Sequence, residues 1–248
     1  MKKTVTLLAV ALGFATFASA QNNKEQDITA SQSTQKAIKK EVQKPSRDFL
    51  VLALTYDNWA NAPGDVKITG FGRGFSGYLC YDFPISNSHF SFAAGLGVNS
   101  SNIYFKKQVA VMNEASGKIE FQTLDTATAS YYKRSKLSTT YLEAPFELRY
   151  FADKDNRNRG FKMAIGMHVG LLMNAHSKTK HSGPGISDLI VEKVSTTRYV
   201  QKWRFEPVLR VGWGNFSVYG TYSISSLFDD GAGPVVYPYS VGISISGL

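Results

Sequence analysis

The chain has 248 residues, and its 28 lysines and arginines against 19 aspartates and glutamates give a formal net charge of +9. A single cysteine, Cys80, excludes an internal disulfide framework, and the length suits one all-β domain. No nucleic-acid-binding motif accompanies the positive charge, so we interpret the charge as a preference for anionic surfaces and exclude nucleic acid as a partner.

The first 20 residues have the pattern of a secretory signal peptide. The cationic start MKK is followed by an apolar run that ends in Ala18-Ser19-Ala20. A charged start, an apolar core and an A-x-A end are typical of such a signal, and the run is a little short for a membrane helix. We therefore predict a signal peptide over residues 1–20 that is cleaved before Gln21, so that the protein is exported.

Residues 21–47 are rich in Gln, Lys, Ser and Thr and poor in aromatic side chains. A stretch of this composition cannot bury enough apolar surface to order itself. We predict a flexible periplasmic tether over this segment.

From residue 48 onward, apolar and polar residues alternate with a period of two, which indicates two-faced β-strands. Short connections alternate with long ones, the longest at about 106–135 and 177–197, as in outer-membrane barrels. We predict an all-β, eight-stranded antiparallel up-and-down transmembrane β-barrel over residues 48–248. The predicted strands are 48–57, 70–83, 90–105, 136–151, 161–176, 198–213, 216–227 and 236–246.

One face of each predicted strand is apolar and the other is polar, and this difference indicates which face contacts lipid outside the barrel. In the segment YLEAPFELRY, the even positions from Leu142 to Tyr150 are apolar, whereas the odd positions include Glu143, Glu147 and Arg149. In the other strands the polar face is mostly Gly, Ser and Thr, although a solvated face normally carries many Lys, Glu and Asp. The interior of an eight-stranded barrel is just wide enough for side chains to fill it. We therefore predict that the apolar face contacts lipid and the polar face lines the lumen.

Aromatic residues cluster beside the three short turns and near the opposite ends of the strands. Such clustering predicts interfacial girdles, with the first at the periplasmic rim. The residues beside the short turns are Tyr81, Phe83, Phe90, Tyr150, Phe151, Phe161, Trp213 and Phe216, and those near the other rim are Tyr104, Phe105, Tyr199 and Trp203.

The segment YLEAPFELRYF, followed by a short polar turn and FKMAIGMHVGLLMN, resembles the PorT-like outer-membrane barrel family of the Bacteroidota. That family commonly shows a Y-L-E-x-P strand followed by a Gly-containing hairpin partner. The later stretch RFEPVLRVGWGNFSVYGTYSISSLF is similar to the later part of the same family. The resemblance covers about residues 48–248. It implies a barrel of eight or a similar number of strands, in a family whose members mostly have no assigned activity and whose eponymous member serves a secretion system. The terminal VGISISGL departs from the usual terminal aromatic.

Charged residues on the predicted inward faces of three successive strands form one candidate site. A charge removed from water needs a partner, so we predict a structural ion-paired cluster rather than a catalytic one. In it, Glu147 bridges Arg149 and Lys162, and Glu143 lies near His168. The full set is Glu143, Glu147, Arg149, Lys162, His168, Arg204, Glu206 and Arg210.

A pair of His168 and Glu143 could orient a general base, but no nucleophile is specified by spacing. We therefore predict no enzyme, no metal and no cofactor. We expect a monomeric barrel in the outer membrane that acts as a structural, binding or secretion-associated component. It is expected to act through its long external loops or through a periplasmic partner. The expected partners are outer-membrane lipid and a periplasmic or secretion-system protein. Two alternatives stay open: an outer-membrane enzyme acting on lipid or peptide, and a soluble ligand-binding barrel with its apolar face inside.

Overall fold

The computed structural model describes residues 48–113, 115–124, 132–153, 156–182 and 190–247. The predicted signal peptide over residues 1–20 and the predicted tether over residues 21–47 lie outside these ranges. Within them, no helix is long and apolar enough to cross a bilayer.

Eleven strands are described, and eight of them close into an antiparallel up-and-down barrel, as predicted. They are β1 (Asp48–Ala60), β2 (Gly72–Pro84), β3 (Phe90–Phe105), β4 (Gln108–Asn113), β5 (Lys118–Thr123), β6 (Tyr132–Phe151), β7 (Phe161–His181), β8 (Ile190–Ser195), β9 (Trp203–Trp213), β10 (Phe216–Tyr222) and β11 (Tyr237–Ser246). The barrel strands are β1, β2, β3, β6, β7, β9, β10 and β11, each paired with the next, and β11 pairs with β1 to complete the ring. Gly214 takes a φ of 60° in the tight β9–β10 turn, a conformation that glycine adopts without strain.

Three short strands occupy segments that we predicted as loops. β4 and β5 form a hairpin, and β8 pairs with the far end of β7. β6 and β7 are also longer than predicted, at 20 and 21 residues. A tilted strand crosses a bilayer with about 9–11 residues, so these two strands project well beyond it. Because short turns face the periplasm in such barrels, we assign the projecting end to the extracellular side.

The two faces of the barrel strands are those that the alternation predicts. Leu79 is 69% exposed while its neighbour Cys80 is 5% exposed, and Trp213 is 70% exposed three positions after the buried Arg210. Large apolar side chains are exposed all around the barrel. Monomeric soluble proteins rarely expose contiguous apolar patches beyond a few hundred Å², so this band indicates contact with lipid. The soluble-barrel alternative, which needs the apolar face inside, is wrong.

Most of the predicted periplasmic girdle points outward at the short-turn rim, but Phe151 does not. Phe151 is 6% exposed and lies on the inward face, because it follows the outward Tyr150 by one position. The guanidinium of Arg157 stacks over its ring at 5.3 Å from the ring centre. The members of the girdle that are exposed are Tyr81, Phe83, Phe90, Phe161, Trp213 and Phe216.

A hydrophobic core, here called the cap core, closes the extracellular end of the barrel. The ring centre of Trp59 lies 5.6 Å from that of Phe105 and 5.7 Å from that of Phe228. The β5 backbone joins the loop before β11, since Ile119 N donates to Ala232 O at 2.7 Å. Phe105 and Tyr199, which we expected near the lipid at this rim, belong to the core instead. Its buried members are Trp59, Val66, Ile103, Phe105, Ala110, Ile119, Leu137, Tyr141, Ala175, Tyr199, Val200, Leu227, Phe228, Ala232 and Val236.

Candidate functional site

The structure places the eight predicted charged residues inside the barrel, and none of them is more than 7% exposed. They lie on three strands that are successive around the ring, β6, β7 and β9. The period-two alternation explains the burial, since each shares its strand face with small polar residues. The residues are Glu143, Glu147, Arg149, Lys162, His168, Arg204, Glu206 and Arg210.

Glu147 is the centre of the periplasmic half of this cluster. One carboxylate oxygen, Oε2, accepts a hydrogen bond from Arg149 Nε at 2.8 Å. The other, Oε1, accepts one from Arg210 Nη2 at 2.9 Å and lies 3.3 Å from His168 Nε2. One buried acid therefore faces two guanidinium groups and an imidazole.

Glu143 is the centre of the extracellular half. Arg204 donates a hydrogen bond to its Oε1, and Tyr78 Oη donates to its Oε2 at 2.5 Å. The same Arg204 lies 3.3 Å from Glu206 through Nε and stacks over the ring of Tyr141 at 3.9 Å. Arg204 is therefore held by two acids and an aromatic face.

His168 joins the two halves of the cluster. Its Nδ1 lies 3.6 Å from Glu143 Oε2, its Nε2 faces Glu147, and the side chain is 0% exposed. Tyr78 and Tyr219 flank the ring, with centres 5.0 and 6.4 Å away. A general base must come within hydrogen-bond reach of a substrate proton, and both nitrogens of this ring already face buried carboxylates. The geometry favours a structural bridge.

Lys162 does not join Glu147, and that part of the prediction is wrong. Lys162 Nζ donates instead to Ser246 Oγ of β11 at 2.7 Å. In the β6–β7 ladder Lys162 lies opposite Phe151 and not next to Arg149, which is paired with Ala164. The lysine therefore points across the lumen to β11, and Arg210 takes the place that we expected it to fill.

Asp82 of β2 is a member of the cluster that the sequence analysis missed. It is 0% exposed, and it accepts from Arg149 Nη1 at 2.9 Å and from Arg157 Nη1 at 3.1 Å. The contact with Arg149 spans 67 positions, so no local pattern indicates it. The alternation along β2 could have indicated it, because Asp82 lies between the outward-facing Tyr81 and Phe83 and therefore faces the lumen.

Within the described ranges, no group of three or more His, Cys, Asp or Glu side chains is arranged to hold a metal ion. The expectations of no metal, no cofactor and no catalytic site stay predictions.

A second candidate lies on the outside of the barrel, beyond the apolar band. Lys136 of β6 is directly opposite Lys178 of β7, and Lys178 is directly opposite Lys193 of β8. One step further out, Arg134 is opposite Lys180. Residues directly opposite in an antiparallel ladder have side chains on the same face. We call these five residues the cationic outer face.

The cationic outer face continues the lipid-facing side of β6. Its outward positions are apolar from Tyr150 to Leu142 and then polar at Thr140 and Ser138 before Lys136. At a rise of about 3.4 Å per residue, Lys136 lies about 20 Å along the strand beyond Leu142. The face is therefore extracellular and outside the membrane-spanning segments.

No acid within the described ranges forms an ion pair with these five cations. Burial and then the neighbouring cations, Lys178 first, lower the pKa of Lys136. The same causes, burial and then Lys193, Lys136 and Lys178, lower the pKa of His176 on the same strand. The mutual repulsion of the cations is thus not neutralised within the described chain.

Residues 48–229 match the model of the family described as "Outer membrane protein beta-barrel domain". No curated protein matches the chain. Among solved structures, the chain is similar to Ail, the attachment invasion locus protein of Yersinia pestis. The identity is 11%, the coverage is 82% of this chain and 99% of that chain, and the TM-score is 0.37. For Ail in complex with the heparin analogue sucrose octasulfate, the values are 11%, 80%, 97% and 0.33. Because the family model spans well over half of the sequence, the chain belongs to the outer membrane protein β-barrel domain family.

Proposed function

We propose that this barrel is a non-catalytic, membrane-anchored binding protein that holds anionic groups of the outer leaflet against its cationic outer face. The observation that carries the proposal is the row formed by Lys136, Lys178 and Lys193 across three adjacent strands. Like charges directly opposite one another destabilise a sheet, on the scale of about 0.2–1 kcal/mol for a cross-strand pair. A face that serves only solvation would intersperse acids among these lysines.

The position of the row favours phosphate groups of outer-leaflet glycolipids as the ligand. The row points outward from the barrel, and on β6 and β7 it stands on the same strand faces that contact lipid closer to the periplasm. Each lysine or arginine near an anionic membrane surface contributes about 1 kcal/mol of attraction. Five cations on one face can therefore retain a phosphorylated glycolipid beside the barrel.

The rest of the barrel supports binding rather than transport or catalysis. The charged cluster fills the lumen, and the cap core packs across its extracellular end. Ser177 Oγ of β7 donates to Ala110 O of β4 at 2.8 Å, so the β4–β5 hairpin is fastened to the extension that carries the lysines. A ligand would meet a preformed surface, which lowers the entropic cost of binding.

Several finer expectations are part of the same proposal. We propose export through the signal peptide over residues 1–20, a periplasmic tether over residues 21–47 and a monomeric barrel. The Y-L-E-x-P strand supports membership of the PorT-like group within the barrel family, and a periplasmic or secretion-system protein is a partner that the tether can reach.

The test uses three glutamine substitutions in the full-length protein, Lys136→Gln, Lys178→Gln and Lys193→Gln, combined in one variant. The wild type and the variant are reconstituted in phosphatidylcholine vesicles that contain bisphosphorylated or dephosphorylated lipid A. The lipid that remains with the barrel after detergent extraction and purification is then quantified. We expect the wild type to retain the phosphorylated lipid preferentially and the variant to lose most of that preference.

The matched control combines Lys106→Gln, Lys107→Gln and Lys118→Gln, which remove the same charge from exposed positions elsewhere on the extracellular side. This control is expected to keep the preference. Equal retention of the two lipids by the wild type, or equal losses in both variants, would overturn the proposal.

A further inference from the structure

A small cavity opens at the periplasmic end of the lumen, between β6, β7, β9 and β11. Its volume is about 20 Å³. A cavity of about 10–15 Å³ holds one water molecule. This cavity therefore has room for one water or for one ion of similar size. The lining includes Arg149, Arg157, Lys162, Arg210 and Ser246.

Positive charge is in excess around this cavity. Four of the lining residues are cationic, and within the described ranges the carboxylates within ion-pair distance of them are those of Asp82 and Glu147. Four cations against two acids leave two positive charges without a counter-charge from the described residues. Lys162 is the extreme case, since its described hydrogen bond goes to a hydroxyl, that of Ser246.

Two arginines that line the cavity also have N–H donors without a hydrogen-bond partner in the described part of the chain. Arg149 Nη2 and Arg210 Nε are buried and have no hydrogen-bond partner in the described part of the chain. Both side chains are nine-tenths or more buried, at 5% exposure for each residue. A lysine ammonium has three donors, and a single hydroxyl accounts for one of those of Lys162. These buried donors belong to residues that line one cavity, and a buried donor needs an acceptor. An anion in the cavity supplies both an acceptor and a counter-charge.

We infer that this cavity is a binding site for a small inorganic anion of the chloride class. Its size selects a single spherical ion over a tetrahedral oxyanion such as phosphate or sulfate, which has five heavy atoms. The bound ion connects Arg149 of β6, Lys162 of β7 and Arg210 of β9, and through Ser246 it also reaches the last strand of the ring, β11. It therefore stabilises the barrel where the first and last strands meet.

The test compares thermal unfolding of the purified, full-length barrel in detergent across a series of sodium chloride and sodium gluconate mixtures at constant ionic strength. A chloride that binds only the folded state stabilises it by RT ln(1 + [Cl⁻]/Kd), where Kd is the dissociation constant of the site. We expect the unfolding midpoint to rise with chloride concentration, and to do so linearly with its logarithm once the site is mostly occupied. In crystals grown with bromide, we expect an anomalous peak inside the cavity.

The diagnostic variant is Lys162→Gln, which removes one charge and keeps a donor for Ser246. Its matched control is Lys118→Gln, on the extracellular hairpin and exposed. We expect the chloride response to be lost in Lys162→Gln and kept in Lys118→Gln. The inference is overturned if chloride and gluconate give the same midpoints, if Lys162→Gln keeps the full response, or if bromide gives no peak in the cavity.

Discussion

Arg210 of β9 donates a hydrogen bond to Glu147 of β6 at 2.9 Å, although β7 lies between the two strands. The contact crosses β7 beside Gly166, which is directly opposite Glu147 and has no side chain to intervene. A Cβ at position 166 would lie 2.1 Å from the carbonyl oxygen of Phe146. Gly166 therefore allows the backbones of β6 and β7 to approach closely at the level where Glu147 and Arg210 meet.

Removing the acid from this arrangement should destabilise the barrel strongly. Glu147→Leu leaves Arg149 and Arg210 without their shared carboxylate inside the lumen. Breaking one side of a buried ion pair typically costs about 3–5 kcal/mol. We expect a large drop in the unfolding midpoint in detergent. The control Glu192→Leu, at an exposed position of β8, should change the midpoint little. Equal midpoints for the two variants would contradict the structural role of the cluster.

A glycine on the inward face of β3 should be intolerant of even one methyl group. A Cβ on Gly97 would lie 2.3 Å from both the carbonyl oxygen of Gly77 and Cδ1 of Tyr78, whose hydroxyl donates to Glu143. Overpacking of this kind costs typically about 1–3 kcal/mol. Gly77→Ala is the matched control, because its nearest contact would be 3.5 Å, with Leu52. Denaturant unfolding of both variants is the measurement. If Gly97→Ala is as stable as Gly77→Ala, β2 and the Tyr78 ring do not pack closely against position 97.

The filled lumen predicts that the barrel does not conduct ions as a porin does. Eight strands enclose a space that side chains fill, whereas water-filled porins use about 16 or more strands. The ion-paired cluster and the cap core lie along the same axis. Purified protein in a planar bilayer should therefore give no large, stable single-channel steps. Such steps from a monomer would show that side chains do not fill the lumen.

Acidification should loosen the extracellular end of β7. The pKa of His176 lies below its usual 6.5 in the folded protein, because burial and the nearby Lys193, Lys136 and Lys178 disfavour its charged form. As the pH falls below 6.5, the unfolded segment therefore binds more protons than the folded one. The stability that neutral His176 contributes is fully present above pH 6.5 and is lost as the pH falls from 6.5 through the lower pKa of the folded state.

Amide hydrogen exchange of β7 and β8, corrected for the intrinsic effect of pH, measures this loss. Protection should be lower at pH 5 than at pH 8 in the wild type. His176→Gln should show a smaller difference between the two conditions. An unchanged difference in this variant would assign the pH effect to other groups.

Much of the barrel could be predicted from the sequence because its signal is local. The period-two alternation marks the outward Phe146 and Leu148 and the inward Glu147 with no knowledge of their neighbours. Strand β3 was predicted with its observed ends, Phe90 and Phe105. Phe151 was predicted wrongly. We assigned it to the lipid-facing girdle because it is aromatic and lies beside a turn, but the alternation along β6 places its side chain inside the barrel.

What the sequence could not indicate depends on pairing between distant strands. Asp82 and Arg149 meet because β2 and β6 both flank β3 in the ring, so their side chains reach each other inside the lumen. Lys162 contacts Ser246, which lies near the C-terminal end of the chain. The six-residue strands β4, β5 and β8 are too short for a clear period, and β8 becomes recognisable only through its pairing with β7. The cationic outer face was missed for that reason, because its lysines meet only in the three-strand register.

The chain is an integral barrel of the outer membrane, with its apolar face in lipid and its charges in the lumen. The decisive measurement is the heat-modifiable gel mobility of the protein from carbonate-washed outer membranes. We expect the protein to stay in the washed membrane pellet, to run as a compact, faster band when unheated and to shift to its full mass after boiling. A protein recovered wholly in the soluble periplasm, with one mobility before and after boiling, would contradict it.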